Sequence, residues 1–301
     1  MRVFMTGANG FLGSRILQDL AGRGHEVILM SRRPPGPERV GHKWIQGDCN
    51  NLIDCVKAMQ SDKFDAVLHV AALPSPSDKM GSDLFDDLAR VPETMNTNIM
   101  GLYNMLQGAL RAEIPVFVQT GSNCIMGHEY RISQTPPTYH YLPLDEDHPG
   151  EPEDSYSVSK ACGEIILKAF NSAYGMQTYA LRSGWVLDAN RRLTVAGNRP
   201  NPTPSIERVF NAYVAQEDCS LAHILVLEHA HEGQLPGHSC YYVNADDSLA
   251  LEPTMQLIEQ FRPDLLDRLY EPLPGHASFF SNKRLKAATG WKPTISWREC
   301  L

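Results

Sequence analysis

The sequence predicts an α/β fold: a doubly wound parallel sheet with a small carboxyl-terminal lobe that binds substrate. Two observations lead there. Short apolar, β-prone runs alternate with amphipathic helical stretches, an order that parallel strands joined by right-handed crossovers satisfy. The first run, Arg2 to Thr6, passes through Gly7, Gly10 and Gly13 into helical periodicity from Ser14 to Leu20. At 301 residues, 43% hydrophobic and 21% charged, the chain can bury a sizeable core, as one large domain or one with an appendage.

The glycine turn carries the first functional signal. A strand entering a helix through bare glycines leaves backbone N–H groups at the positive end of a helix dipole, an arrangement that holds a pyrophosphate. Gly7 suits the tight turn, Gly10 the approach of the phosphates and Gly13 the packing of helix on strand. Phe11 to Gly22 reads as the first helix, with Phe11, Leu12, Ile16, Leu17 and Leu20 on one face. His25 to Ser31 is the second strand. In a dinucleotide-binding fold its end faces the adenosine ribose, where Asp or Glu holds the 2′-hydroxyl of NAD. Here Ser31, Arg32 and Arg33 stand there. A guanidinium pairs with a 2′-phosphate that a carboxylate would repel, so the preferred cofactor is expected to be NADP(H), with NAD(H) possible.

The remaining elements follow. Pro34 to Pro37 is a loop, Lys43 to Gly47 a short strand, Asn51 to Gln60 a helix, and Ala66 to Ala72 a buried strand. Ser75 to Arg90 reads as polar and then helical, Glu93 to Ala112 as a long helix, and Pro115 to Thr120 as a strand ending at Gly121-Ser122-Asn123. Ser133 to Asp154, rich in proline and acids, reads as a long surface loop, and Asp145-Glu146-Asp147 as a solvated acidic part of it. Ser155 to Tyr174 is helical, Gln177 to Val186 a strand, and Pro200 to Pro204 a break. Asp218 to Ala230 and Pro253 to Phe261 are helical, and Ser239 to Asn244 is strand-like. Residues 1–180 are expected to form the nucleotide-binding domain, and 181–301 mainly the substrate lobe, with later segments returning to the sheet.

Bulk properties exclude several classes. Net charge is −8 and no Lys/Arg run exceeds two residues, which disfavours nucleic acid and anionic membranes as partners. Seven cysteines form no C-x-x-C pair, as expected of reduced thiols. The chain enters a strand at once and no apolar run is long enough to span a bilayer, so a cytoplasmic location is expected. Eleven histidines show no H-E-x-x-H spacing, so no metal site is expected, and Ser122 lacks the G-x-S-x-G surroundings of a hydrolase nucleophile.

Tyr156 and Lys160 are the second signal. At i and i+4 on a helix they share a face. A phenol titrates near pH 10 and needs help to act as a base at neutral pH; a nearby ammonium and a positively charged oxidised nicotinamide supply it. Ser122, at the end of the fifth strand, can hydrogen-bond a reacting oxygen.

With these motifs in view, the chain resembles the extended short-chain dehydrogenase/reductases, in the NAD-dependent epimerase/dehydratase family with its Rossmann fold. Thr6-Gly-Ala-Asn9-Gly10-Phe11-Leu12-Gly13 is similar to the phosphate loop T-G-x-x-G-x-x-G. Gly47-Asp48, followed by Cys49, resembles the adenine-contacting segment, His69-Val-Ala71-Ala72 the strand lining the cofactor, and Asn98-Ile-Met-Gly101 the helix bearing an active-site Asn. Ser122 to Gly127 resembles S-x-x-V-Y-G, Tyr156 to Glu164 matches Y-x-x-S-K-x-x-G-E, Leu181-Arg182 begins L-R-P, and Gly290-Trp291-Lys-Pro293 is like G-W-x-P. The resemblance implies Ser122, Tyr156 and Lys160 as the catalytic set, with Ser75 and Asn123 facing the substrate. It implies hydride transfer between nicotinamide and a sugar-like hydroxyl or carbonyl, Tyr156 exchanging the proton, while Lys160 binds the nicotinamide ribose and lowers the Tyr156 pKa.

Departures narrow that expectation. Asn123-Cys124 replaces the Asp-Glu pair of dehydratases, Met126 the aromatic of V-Y-G, and Ser183 the Pro of L-R-P. The Arg182–Asp218 interval is short beside that of nucleotide-sugar relatives. Ser122-Asn123 resembles the pair of uronate dehydrogenases, whereas Trp185 stands where a smaller polar residue is expected. Arg191 and Arg192 are read as a solvated loop, the alternative being contact with a substrate carboxylate. A compact substrate is favoured. The alternatives are a nucleotide-sugar 4-epimerase with tightly bound cofactor and, in another class, a non-catalytic NADP(H)-sensing regulator. The helices at 93–112 and 155–174 would allow a homodimer.

Overall fold

The structure is a computed structural model in which residues 1–36, 41–78, 87–204, 210 and 212–301 are described. Seven strands form one parallel sheet: β1 (Arg2–Thr6), β2 (Glu26–Ser31), β3 (Lys43–Gln46), β4 (Ala66–His69), β5 (Val116–Thr120), β6 (Gln177–Ser183) and β9 (His238–Val243), in the order β3-β2-β1-β4-β5-β6-β9. β1 is central because Val3, Phe4 and Met5 are wholly buried and its side chains serve both faces. On one face Val3, Met5, Leu29 and Leu68 meet Ile16 and Leu17 of α1 (Phe11–Gly22) and Val226 and Leu227 of α7 (Gln216–His231). On the other, Phe4, Val67 and Phe117 meet α2 (Leu52–Met59), α4 (Gly101–Arg111) and α5 (Ser155–Tyr174) through Cys55, Met105 and Leu167. Both faces are covered, as in a doubly wound fold, and the strand order reverses beside β1, where such sheets bind ligands at their carboxyl ends.

Several motifs are structural joints. Arg182 on β6 forms a two-pronged pair with Glu164 on α5, at 2.8 and 2.8 Å, and also donates to the Glu146 carbonyl. Trp291 donates its indole N–H to the Asp218 carbonyl at 2.9 Å, and the Asp218 carboxylate accepts from Thr294 and Ile295. The terminal tryptophan motif thus fastens the chain end to α7.

Other expectations are corrected. β4 stops at His69, and Val70 to Ala72 turn over the sheet edge. The strand expected over Gln177–Val186 divides at Gly184: β7 (Trp185–Leu187) leaves the sheet to pair with β8 (Tyr213–Ala215). A Cβ at residue 184 would lie 2.5 Å from the Ala212 carbonyl oxygen, so only glycine lets the two backbones meet there. Glu93–Ala112 is a helix broken into a first turn α3 (Glu93–Met95), a π-helical turn Asn96–Met100 and α4. Ser133–Asp154 has no regular element, yet it is not a surface loop: Tyr139, Leu142 and Leu144 pack with Phe279 and Phe280 in the second lobe's core. Glu146 is not solvated; its carboxylate accepts from the Tyr242 amide at 2.7 Å and faces Arg284, and burial pushes its pKa upward. Arg191 and Arg192 are helical, within α6 (Ala189–Asn198), where Asp188 caps the first turn. The short helices α8 (Thr254–Phe261) and α9 (Lys283–Thr289) complete the chain. The helix expected late in Ser75–Arg90 falls largely on 79–86, and Pro37 of the proline loop is in 37–40; both stretches lie outside the described residues.

Candidate active site

One elongated cleft of about 1160 Å³ opens along the carboxyl edge of the sheet. Drug-sized ligands occupy roughly 300–1,000 Å³, so this space suits a dinucleotide together with a small reactant. Its floor is the glycine turn. Gly7 has φ +78°, and a Cβ on it would come within 2.5 Å of the Ala71 amide nitrogen; one on Gly13 would sit 2.1 Å from the Gly7 carbonyl oxygen. α1 therefore starts directly against β4's exit. Gly10 caps it with no side-chain hydrogen bond, whereas Asn51, Asp154 and Asp188 cap α2, α5 and α6. The uncapped amides and dipole of α1 face the cleft, which fits the phosphates of a dinucleotide.

At one end the cleft is lined by Ser31, Arg32, Asp48 and Cys49. Ser31 Oγ donates to the Arg33 carbonyl at 2.6 Å and accepts from the Trp44 indole at 2.9 Å, which fixes the turn carrying Arg32. Asn9, Phe11, Leu12, Ala71 and Ala72 line the middle.

At the other end lie Ser122, Asn123, Tyr156 and Lys160. β5 delivers Ser122, whose Oγ accepts from the Cys124 amide at 3.2 Å and caps a short turn over Asn123–Met126. Tyr156 and Lys160 come from the first turns of α5. Lys160 is buried and donates Nζ–H to the Thr120 carbonyl at 2.9 Å, with the ammonium 5.8 Å from the Tyr156 ring centre. Burial lowers the Lys160 pKa to about 8. Tyr130 stands edge-on to Tyr156, ring centres 6.1 Å apart. Before any cofactor is counted, burial, with Cys124 and Tyr130 nearby, raises the Tyr156 pKa, and the Ser122 hydrogen bond only partly opposes this. The phenol is protonated at neutral pH in this setting.

Two predicted residues lie off the cleft lining. Ser75 is exposed, its carbonyl accepting from Thr94 Oγ1 at 3.0 Å. Asn98 is buried in the π-helical turn, where its amide accepts from the Leu73 N–H at 2.8 Å and donates to the Leu73 carbonyl and to Ser159 Oγ, both at 3.0 Å. It braces the Ala72–Leu73 segment of the wall and ties it to α5.

The opposite wall is formed by Trp185, Val186, Arg191, Thr194, Asn198 and Arg199; sequence reasoning raised Trp185 and Arg191 as substrate-side residues and missed the others. A signal for them existed: Asp188 ahead of Ala-Asn-Arg-Arg-Leu reads as a helix N-cap. The two arginines of α6 diverge. Arg192 is buried, donating to the Leu187 carbonyl and pairing with Glu217 at 2.9 Å, while Arg191 lies over the Phe11 ring in the cleft. Among the described residues no helix is long and apolar enough to cross a membrane, and no cluster of His, Cys, Asp and Glu is grouped to hold a metal.

Comparison with known proteins bears on the family and the fold. The chain is 27% identical over 256 residues to a 3 beta-hydroxysteroid dehydrogenase/Delta 5-->4-isomerase of Mycobacterium tuberculosis, covering 81% of this chain and 64%, just under two thirds, of that relative. It is 27% identical over 275 residues to an L-arabinose 1-dehydrogenase (NAD(P)(+)) of Haloferax volcanii, covering 87% of this chain and 96% of the relative. The crystal structure of a UDP-glucose 4-epimerase from Thermotoga maritima with UDP-glucose shares the fold, with a TM-score of 0.71 at 16% identity over 99% of this chain and 96% of that one. The pattern of the NAD dependent epimerase/dehydratase family matches residues 3–238, so the chain belongs to that family and is an enzyme of it.

Proposed function

We propose that this enzyme is an NADP(H)-preferring dehydrogenase/reductase acting on a sugar-like hydroxyl or carbonyl. The observation that carries the reading is the shared cleft: the glycine turn at its middle, with Ser122, Tyr156 and Lys160 together at one end. A bound nicotinamide would supply the hydride donor or acceptor. The chain's own residues supply proton and charge control. Tyr156, held protonated by burial, is suited to donate its phenolic proton to a carbonyl oxygen during reduction; in oxidation it would first release that proton to solvent, favoured by the cationic oxidised nicotinamide and the Lys160 ammonium, and then accept the hydroxyl proton. The Ser122 hydroxyl would hydrogen-bond the same oxygen. The Lys160 ammonium, fixed by the Thr120 carbonyl in a dry site, would steady the phenolate once the proton has left and hold a ribose hydroxyl.

Two features support the finer parts. Arg32 lines the cleft beside Ser31, and no Asp or Glu ends β2, which favours a 2′-phosphate. A compact substrate is supported by the long match to a relative named for L-arabinose, and by Trp185 and Val186 closing the wall beyond the catalytic residues.

The deciding experiment incubates the protein with free pentoses and hexoses, uronates and nucleotide sugars, each with NADP+ and NAD+, and follows NAD(P)H absorbance. Accumulation of NADPH with a free sugar is expected. A sugar interconverted with no net NAD(P)H would replace the proposal with a 4-epimerase. Dinucleotide binding without turnover of any of these would overturn the sugar-like substrate.

A further inference from the structure

The second lobe reaches back across the cleft at one point. The Arg191 guanidinium lies 3.8 Å from the centre of the Phe11 ring, and Phe11 is the first residue of α1, next to the Gly10 cap. The aromatic face holds the guanidinium flat and leaves its edge N–H groups available, a geometry suited to two adjacent anionic oxygens. Among the described residues only one of those donors is engaged, in a long 3.4 Å bond to the Val186 carbonyl. No carboxylate among the described residues pairs with Arg191, whereas Arg15, Arg23, Arg182 and Arg192 each have one.

The position is built rather than incidental. Arg192 pairs with Glu217, and Glu217 also lies 3.7 Å from Arg15 on α1. Gln216 donates to the Phe11 carbonyl at 2.8 Å. α6, the start of α7 and the first turn of α1 are thereby tied together around the cation. A guanidinium at the positive end of a helix dipole is electrostatically unfavourable by itself, and the first turn of α1 holds no acidic residue to offset it. An anion between the two removes the conflict and gains from both.

We propose that Arg191 clamps the pyrophosphate of the dinucleotide from the second lobe, opposite the amides of the glycine turn. This rests on the dinucleotide reading above and adds a ligand from α6, a helix the opposite lobe contributes. It also separates the neighbouring arginines into one that binds and one that holds the helix in place.

The test measures binding of ADP-ribose, NADP+ and NAD+ to the full chain by calorimetry, in wild type and in Arg191→Met and Arg191→Lys. ADP-ribose carries the pyrophosphate and lacks the nicotinamide, so its binding reads the clamp without catalysis. Arg191→Met should weaken all three ligands by a similar factor of about 10 or more, the loss of a charge-assisted hydrogen bond. Arg191→Lys, which keeps charge but not the planar stack, should fall between. Unfolding temperature without ligand should be unchanged, since the side chain is exposed. Unchanged ADP-ribose affinity in Arg191→Met would overturn the clamp, and a rise confined to the sugar KM would assign Arg191 to the substrate instead. Should wild type itself bind none of the three ligands, the dinucleotide reading fails first.

Discussion

The floor and the facing wall of the cleft are built by different means. The floor is backbone and short side chains at the ends of buried parallel strands: Gly7, Gly10 and Ala71, with Ser122 and Lys160 themselves buried. The wall is a helix and a short two-stranded ribbon whose side chains are long and partly exposed, Trp185 and Arg191 among them. On the function proposed above, chemistry that needs fixed atoms would sit on the floor, where packing restricts the side chains, and selection of the ligand on the wall, where side chains change without disturbing the sheet.

The sharpest test of that division is Tyr156→Phe, which should lower kcat at least about 100-fold, as for loss of a general acid/base. Dinucleotide affinity should stay within a fewfold of wild type; full activity would move the proton transfer elsewhere.

The floor should also set the acid limit of stability. His223 accepts from the Thr120 hydroxyl at 2.9 Å through Nε2 and donates Nδ1–H to the Cys219 carbonyl at 2.8 Å, so its neutral form is satisfied on both sides. Burial lowers its pKa to about 4 and that of His69, bonded to Thr6, to about 3. The unfolded chain takes up these protons first. The stabilisation is complete above pH 6.5 and is lost as pH falls toward 4, with His223 accounting for up to about 3 kcal/mol. Denaturant unfolding across that range should be less pH-dependent in His223→Gln; an unchanged slope would remove His223 from the account.

Two wall variants should contrast with these. Arg192→Met leaves Glu217 without its buried partner and should cost about 1.5–3 kcal/mol in urea unfolding, while loosening α6 enough to weaken the dinucleotide severalfold. If the dinucleotide binds as before, the helix does not depend on that pair. The smallest effect belongs to Trp185→Ala: at 48% exposure, its loss should change stability by less than about 0.5 kcal/mol. The sugar KM should shift severalfold with kcat nearly unchanged, and an equal fall in kcat would place the indole among the floor's functions.

The alternation of strands and helices along the chain, the glycine turn and the Tyr156–Lys160 pair were legible in the sequence because each rests on local spacing: period two or 3.6, glycines three apart, tyrosine and lysine four apart. Local spacing does not show where a chain leaves a sheet. The departure at Gly184 depends on Ala212, and the packing of Leu142 and Leu144 on Phe279 and Phe280, both far along the chain. The sign of the Tyr156 shift was hidden for a related reason. Sequence places a lysine four residues away, but burial is a property of the whole fold, and here it is the largest cause of the shift. Sequence alone thus determined the parallel sheet, its glycine turn and the candidates Ser122, Tyr156 and Lys160 for the proposed chemistry, since local spacing carries each of them. Tertiary structure alone decided which arginine enters the cleft, which polar residues brace it and which proton the phenol keeps, because those follow from contacts between segments up to two hundred residues apart, as Gln216 on Phe11 illustrates.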